Sequence, residues 1–376
     1  MGHKLNYTII STRKEGTVGK GDQVVLRQIR RVLELKDKTV EYVQIQLNLR
    51  KIFRRCSTSS VIYISALDLV WALMYIIFAG WPIQTAVFSN PRLARKLQRL
   101  TRCEETRVIL SQERTHGFRI VQSDCLLLFI DALAHNLRTR KYKNLIFKGL
   151  VHIEARRLQS FAAKTPSNLV KMFVTDEEQK HYRLKNSVSI PNFLSKDEII
   201  SSNQSVSDDR KRIVLSGNFH YRPNFEAANW ILENLEHIQS STTVNFDLVF
   251  AGLGSDRYLG ASSNLVCLTQ IPIMRDVLRT CDCSIAPMQS GSGIQNKILE
   301  ALGAGIPCIA STIAYTPFCS AYGVVKGVLT YKSVDDLIKQ IDLVFSGDLR
   351  PNREELVTKL SLEENADWIY ENLFKR

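Results

Sequence analysis

Residues 286–305 read APMQSGSGIQNKILEALGAG, and this stretch decides the fold. A strand-like run ends at Ala286, a turn with two glycines follows (Ser290-Gly291-Ser292-Gly293), and helical spacing begins near Ile294. Small residues let a backbone approach a ligand closely. The free N–H groups and the positive end of the helix dipole then face that ligand, a geometry that suits a diphosphate. Lys297 in the first turn adds a full positive charge. Glu300, three residues on, shares its face and has the chemistry to accept two hydrogen bonds from a ribose diol. Ala301, Gly303, Ala304 and Gly305 keep the helix slim enough to pack close to the next strand. The competing reading is an ordinary strand-to-helix connection with a surface Lys–Glu pair.

The same pattern occurs upstream, at residues 215–224, LSGNFHYRPN. A strand runs into the Gly217-Asn218 turn, and a helix follows for which Asn224 is the expected N-cap. Arg222 falls at the C-terminal edge of the strand, where α/β proteins bind ligands, and a guanidinium there takes a diphosphate bidentately. Strands are expected at Ile213–Ser216, Phe246–Ala251, Leu265–Leu268, Cys283–Ala286 and Pro307–Ala310. The helices expected between them are Asn224–Leu235, Met274–Thr280 and Ile294–Ala304. Such alternation predicts a parallel sheet covered on both faces.

The first half opens in the same way. Leu5–Ser11 reads as a strand, Thr12–Gly21 as a glycine-bearing loop, and Asp22–Leu35 as a helix with Asp22 at its cap. Gly19, Lys20 and Gly21 are candidates for close approach to a phosphate or an acceptor. The full G-x-G-x-x-G fingerprint is missing, so no nicotinamide dinucleotide is expected. Val61–Phe88 is the most apolar stretch, but Asp68 and Gly80-Trp81-Pro82 interrupt it. A strand (Val61–Ile64), a helix (Leu67–Phe78) and a second strand (Ile83–Phe88) are expected there rather than a membrane span. Strands at Arg107–Leu110, Arg119–Val121 and Val170–Val174 follow, with helices at Leu126–Arg138 and His152–Ala163. The polar run Ser195–Arg212 is the expected linker, and Leu362–Phe374, carrying Trp368, the final helix. The expected domains are 1–195, 196–355 and a C-terminal helix, 356–376.

With 376 residues, 45% of them hydrophobic and 23% charged, the chain is globular and long enough for two domains of about 150 to 200 residues. Cys281 and Cys283 lack the spacing and the second pair of a zinc site, so buried free thiols are expected, with no metal, in a reducing cytoplasm. The net charge is +13. Residues 1–190 hold 33 Lys and Arg against 15 Asp and Glu, and the remainder 17 against 22. A basic half suits an anionic partner: nucleic acid, a phospholipid surface or a phosphorylated acceptor. Nucleic acid fits poorly, because the charge is not interleaved with aromatics and no matching module is present.

Together the two glycine-turn segments resemble the donor domain of the retaining family-4 (group 1) glycosyltransferases, particularly bacterial sugar transferases of exopolysaccharide and capsule pathways. The resemblance extends more weakly to Lys20-Gly21-Asp22, residues 129–133, Glu154–Arg157 and Ile190-Pro191-Asn192. It implies an α/β GT-B fold: two Rossmann-like domains facing across a cleft, with the last helix crossing back to the first. It implies that Arg222 and Lys297 hold the diphosphate of a UDP-, GDP- or dTDP-sugar. Gly291, Ser292, Gly293, Ile294, Gln295 and Asn296 would contact phosphate and sugar, Ile271-Pro272 the base, and Glu300 the ribose. His116 would contact the donor sugar and acceptor, with Glu113 and Asp131 as further candidates on that side. The implied acceptor is a glycan or a polyprenyl-diphosphate-linked glycan at the inner membrane leaflet, with no cofactor beyond the donor. The family usually places two glutamates eight residues apart; here the second is Glu300 and the first position is Ser292. Two alternatives stand beside this reading: a sugar-nucleotide 2-epimerase, which can share the two-domain fold, and a non-catalytic partner of an active transferase, which the missing first glutamate motivates.

Overall fold

The computed structural model describes residues 6–14, 21–47, 61–100, 106–120, 125–139, 144–199, 210–291, 293–347 and 349–375. It divides into two compact units, Met1–Pro191 with Ala366–Arg376, and Asn192–Asn365.

The first unit is built on a seven-stranded parallel sheet of β1 (Asn6–Ser11), β2 (Thr39–Gln46), β3 (Val61–Tyr63), β4 (Thr106–Leu110), β5 (Cys125–Leu128), β6 (Lys171–Phe173) and β7 (Ser187–Ser189). Their spatial order is β3-β2-β1-β4-β5-β6-β7, so the order reverses between β1 and β4. Buried Ile10, Val43, Ile45, Val108, Leu110, Leu127 and Phe173 form its core. The last residues of the chain belong here. Phe374 meets Tyr7 edge-on at 5.1 Å, and its carbonyl accepts from Arg107 at 2.9 Å.

The second unit repeats the plan with β8 (Lys211–Ser216), β9 (Phe246–Ala251), β10 (Leu265–Leu268), β11 (Cys283–Ala286), β12 (Cys308–Ser311) and β13 (Val328–Tyr331). The order is β10-β9-β8-β11-β12-β13, all parallel, with the reversal between β8 and β11. Helices connect β8 to β9, β10 to β11, β11 to β12 and β12 to β13, as parallel strands require a crossover connection, while a short 3-10 segment, Ser255–Tyr258, lies between β9 and β10. The boundary lies at Pro191 rather than 195 because Leu194 is stitched to the far end of its own unit. Its N–H donates to Leu360 O at 2.8 Å, and its carbonyl accepts from Leu362 N–H at 2.7 Å.

Several expected elements need correction. Ile83–Phe88 is not a strand but part of the helix Ile83–Ser89. Pro82 sits before it at φ −60°, ψ 140°, and Thr85, Ala86 and Ser89 are buried at helical spacing. Arg119 lies in the 3-10 segment Glu113–Ile120, and Val121 lies outside the described residues. Leu126–Arg138 is no single helix. Its beginning is β5, buried at every position between β4 and β6, and a helix starts only at Leu133. An unbroken apolar run has no periodicity to separate a buried strand from a buried helix. Asp22 and Asn224 lie inside the first turns of helices that begin at Gly21 and Arg222, so neither is an N-cap. Cys281 and Cys283 are buried free thiols, their protons held by burial.

Candidate functional site

In doubly wound sheets, ligands bind beyond the carboxyl ends of the strands where the strand order reverses. In the second unit that place lies between β8 and β11, and both glycine-turn segments leave the sheet there. Gly217 follows β8 at φ 144°, and a Cβ on it would stand 2.7 Å from Asn224 Nδ2. The neighbouring exit from β9 is as tight, for a Cβ on Gly252 would lie 2.0 Å from Gly217 O. Only glycine fits at both positions, so the two chains leave the sheet in backbone contact.

The side chains beyond Gly217 join the two segments. Asn218 accepts the His220 N–H on Oδ1 at 2.9 Å, and its carbonyl accepts from Asn224 Nδ2 at 3.0 Å. Asn224 Oδ1 in turn accepts from Lys297 Nζ at 2.8 Å. Met288 Sδ is 3.2 Å from the same ammonium. Lys297 is 7% exposed. Burial pushes its pKa down to about 8, opposed by the nearby Cys308 and Glu300. The ammonium faces one amide oxygen and a thioether, incomplete solvation for a buried cation. An anionic ligand group would complete it.

Gly291 (φ 122°) and Gly293 (φ 89°) form the turn after β11. A Cβ on Gly293 would meet no neighbour, so the backbone angle and not crowding selects glycine there. The helix Asn296–Gly303 follows, and its N-cap Gln295 makes no side-chain cap hydrogen bond. The Ile298 N–H donates to the Gln295 carbonyl at 3.0 Å, so the Asn296 and Lys297 N–H groups are the ones placed for an anion. Glu226 ties this turn to the upstream helix, accepting from Ser290 Oγ and, at 2.7 Å, from Arg222 Nε. The Arg222 side chain is 64% exposed. Glu300 is exposed one turn beyond Lys297, and Ile271 is half-buried ahead of the helix Met274–Leu278. Asn296 Oδ1 accepts from Asn192 Nδ2 at 2.7 Å, and the Asn192 carbonyl accepts from the Tyr322 hydroxyl. Ile294 and Gln295 are half-buried beside these groups.

The structure thus gathers Gly217, Asn218, Arg222, Gly291, Gly293, Asn296, Lys297 and Glu300 on the segments that leave the carboxyl ends of the central strands β8 and β11. Sequence reasoning missed Glu226 and the role of Asn224, whose amide was read as a helix cap. The signal for Asn224 was its place three residues into a helix that starts at Arg222. Ser292, Gly19 and Lys20 lie outside the described residues, and Gly21 opens the helix Gly21–Leu35.

In the first unit, His116 corrects the expectation of an accessible ring. It is 2% exposed, within 3.0 Å of Leu128 O through Nε2 and edge-on to Phe129 at 4.7 Å. Burial, reinforced by Arg119, lowers its pKa to about 3. The ring is a neutral core group, and any contact with a ligand would require it to leave that core. Glu113 and Asp131 are neighbours at the ends of β4 and β5. Glu113 Oε2 accepts from the Tyr182 hydroxyl at 2.7 Å, and Asp131 pairs with Arg114 at 3.4 Å. Burial, with the Asp131 charge adding to it, pushes Glu113 up to about 8. Burial also raises Asp131, against the pull of Arg114.

Two parallel-sheet units of this kind define the class of fold, the two-Rossmann-unit GT-B architecture of glycosyltransferases. The lipopolysaccharide outer core galactosyltransferase WaaB is similar over 98% of this chain and 99% of its own, at 13% identity and a TM-score of 0.61. A sucrose-phosphate synthase from Thermosynechococcus elongatus is similar over 98% and 99%, at 13% identity and a TM-score of 0.65. A TarM variant of S. aureus, solved with Fondaparinux, alpha-GlcNAc-glycerol and UDP, is similar over 98% and 100%, at 11% identity and a TM-score of 0.63. At these identities the likeness is one of fold. More particularly, residues 210–347 match the family model of glycosyl transferases group 1, and this span contains every element of the Lys297 site except Asn192. No curated protein matches the chain by sequence.

Proposed function

We propose that this protein is a nucleotide-sugar-dependent glycosyltransferase whose donor diphosphate sits at the β8/β11 reversal of the second unit. The observation that carries the reading is the buried, partly solvated Lys297 ammonium, held by Asn224 beside an uncapped helix N-terminus and a double-glycine turn. The group 1 match over residues 210–347 supports it. In this reading Lys297, Arg222 and the first N–H groups of the helix Asn296–Gly303 bind the diphosphate. The bond from sugar C1 to the phosphate oxygen breaks with its electron pair going to that oxygen. The acceptor hydroxyl oxygen bonds to C1 and passes its proton to the departing diphosphate oxygen. Fixed cations and backbone donors stabilise the charge that grows on the leaving diphosphate. Glu300 takes the ribose hydroxyls and Ile271 borders the base. UDP is the first nucleotide to try, since the TarM neighbour was solved with it.

The configuration at C1 is retained in this proposal. The acceptor is a glycan or a polyprenyl-diphosphate-linked glycan of a bacterial surface polysaccharide. The basic first half keeps the enzyme on the cytoplasmic face of an anionic membrane, with about 1 kcal/mol of attraction per cation near the surface. No metal or further cofactor takes part. Ser292 in place of the family's first glutamate favours one second reading, a non-catalytic partner that retains the fold. Incubation with donor and acceptor extracts separates the readings. A transferase releases nucleoside diphosphate only with acceptor present, an epimerase yields an isomeric nucleotide sugar, and a non-catalytic partner yields neither.

A further inference from the structure

The first unit carries apolar surface that its own core leaves uncovered. In the helix Ala66–Phe78 the buried residues are Asp68 and Ala72, while Val70, Leu73, Ile77 and Phe78 are each more than half exposed. The helix Leu145–Ala163 repeats this with Leu145, Ile146, Phe147, Leu150 and Ile153. Exposed apolar area on this scale marks an interaction surface. The turn that follows the first of these helices, and the start of the helix Ile83–Ser89 after it, meet the second. Glu154 accepts the Ile83 N–H at 2.7 Å, and Trp81 lies edge-on to Phe161 at 4.9 Å.

At that joint is a cavity of about 600 Å³ whose walls include Trp81, Phe161, Arg119, Arg156, Arg157 and Lys164. Arg119 is 9% exposed, with its guanidinium 4.1 Å from the Phe161 ring centre. One of its terminal nitrogens donates to Phe161 O. The other, Nη1, is buried without a hydrogen-bond partner. Four cations, Arg119, Arg156, Arg157 and Lys164, around one cavity describe a receptor for a phosphate-bearing anion.

We infer that this pocket takes the phosphate of an anionic phospholipid, while the exposed faces of the helices Ala66–Phe78 and Leu145–Ala163 lie in the bilayer interface beside it. The combination selects a lipid, since apolar helix faces suit acyl chains and the adjoining cations suit the headgroup. Charge complementarity agrees, because residues 1–190 hold 33 Lys and Arg against 15 Asp and Glu. Among the described residues no helix is long and apolar enough to cross a membrane, so the contact is interfacial. Trp81 and Phe161, between the charged and apolar parts, suit the headgroup level. This site gives the membrane attachment proposed above a definite location and rests on that attachment. It is independent of the donor site, whose residues belong to the second unit.

The test is flotation of the full chain with phosphatidylcholine vesicles, with and without phosphatidylglycerol. The chain is expected to float with phosphatidylglycerol vesicles only. Arg156→Glu with Arg157→Glu, and separately Ile77→Glu with Phe78→Glu, are each expected to lower the bound fraction by about tenfold or more. All four side chains are solvent-accessible, and unchanged circular dichroism establishes that the variants fold. Flotation that survives both double substitutions overturns the inference. So does a wild-type chain that ignores phosphatidylglycerol yet broadens the ³¹P signal of inorganic phosphate, which makes the pocket a soluble-anion site. A dimer in light scattering that Ile77→Glu with Phe78→Glu splits also overturns it, assigning the face to a second copy. Nucleotide-sugar binding in the same preparations keeps the readings apart, since its loss with flotation intact sinks the donor site alone.

Discussion

Lys297 Nζ lies 2.8 Å from Asn224 Oδ1, and that one bond joins the two segments that leave the second sheet on either side of its strand-order reversal. An amide oxygen orients the ammonium without neutralising it, so its charge remains for a ligand. A carboxylate in the same place would pair with the lysine and repel a diphosphate.

Truncation of Asn224 tests this arrangement. Asn224→Ala removes both the bond to Lys297 and the one to Asn218 O. Nucleotide-sugar affinity is expected to fall by about tenfold, from the loss of one charge-assisted bond of roughly 1.5–3 kcal/mol partly offset by the ligand. Asn224→Asp is expected to weaken binding at least as much, by repelling the diphosphate. Titration calorimetry of the two variants checks both outcomes.

The glycines separate crowding from backbone strain. A Cβ on Gly217 would press on Asn224 Nδ2 at 2.7 Å and meet φ 144°. Gly217→Ala is therefore expected to displace Asn224, cost about 1–3 kcal/mol of stability and weaken donor binding. Gly293→Ala has room for its methyl at φ 89° and is expected to cost only about 1 kcal/mol. Chemical denaturation of the two variants measures the difference.

Lys297 gives donor binding a pH dependence. With its pKa near 8 in the free protein, the ammonium loses its proton as pH rises through about 8, and a bound diphosphate must restore it. Affinity is expected to hold below pH 8 and to fall by up to about tenfold per pH unit above it, with proton uptake on binding. The unfolded chain binds the more protons between about 8 and 10.5, so this residue makes the free protein more stable as pH rises through that window. Calorimetry in buffers of different ionisation enthalpy reads the proton uptake.

Glu113 predicts the opposite slope. Its carboxyl is held protonated up to about 8 against 4.5 in the unfolded chain. The folded state binds the extra proton between those values, so the stability contribution is complete below pH 4.5 and is lost as pH rises through 8. Glu113→Gln keeps an oxygen to accept from the Tyr182 hydroxyl and is expected to flatten this slope. Thermal unfolding of both proteins between pH 5 and about 9 gives the comparison.

Much of the second unit was legible in the sequence because its strands are short, apolar and separated by helical spacing. Phe246–Ala251, Leu265–Leu268 and Cys283–Ala286 fall where the pattern puts them. The first unit was less legible. Thr39–Gln46, which pairs with β1 along six residues, carries β-branched and aromatic residues alternating with polar ones, a strand pattern the sequence reading passed over. Leu126 and Ile83 sit in apolar runs whose period cannot distinguish strand from helix until tertiary packing decides. Lys297, Glu300 and Arg222 could be named from residue type and spacing. The bond from Asn224 to Lys297 spans 73 residues, and only the folded sheet brings those residues together. Burial of His116 was hidden for the same reason, since Leu128 and Phe129 cover it from another strand.

The most direct measurement is ligand-observed NMR of the pure protein with UDP-, GDP- and dTDP-sugars, repeated on Lys297→Ala and Glu300→Ala. The account predicts that one nucleotide class binds and that each substitution weakens it by about tenfold or more. Binding that both substitutions leave unchanged, or a folded protein that binds none of the three, would contradict a donor site at Lys297.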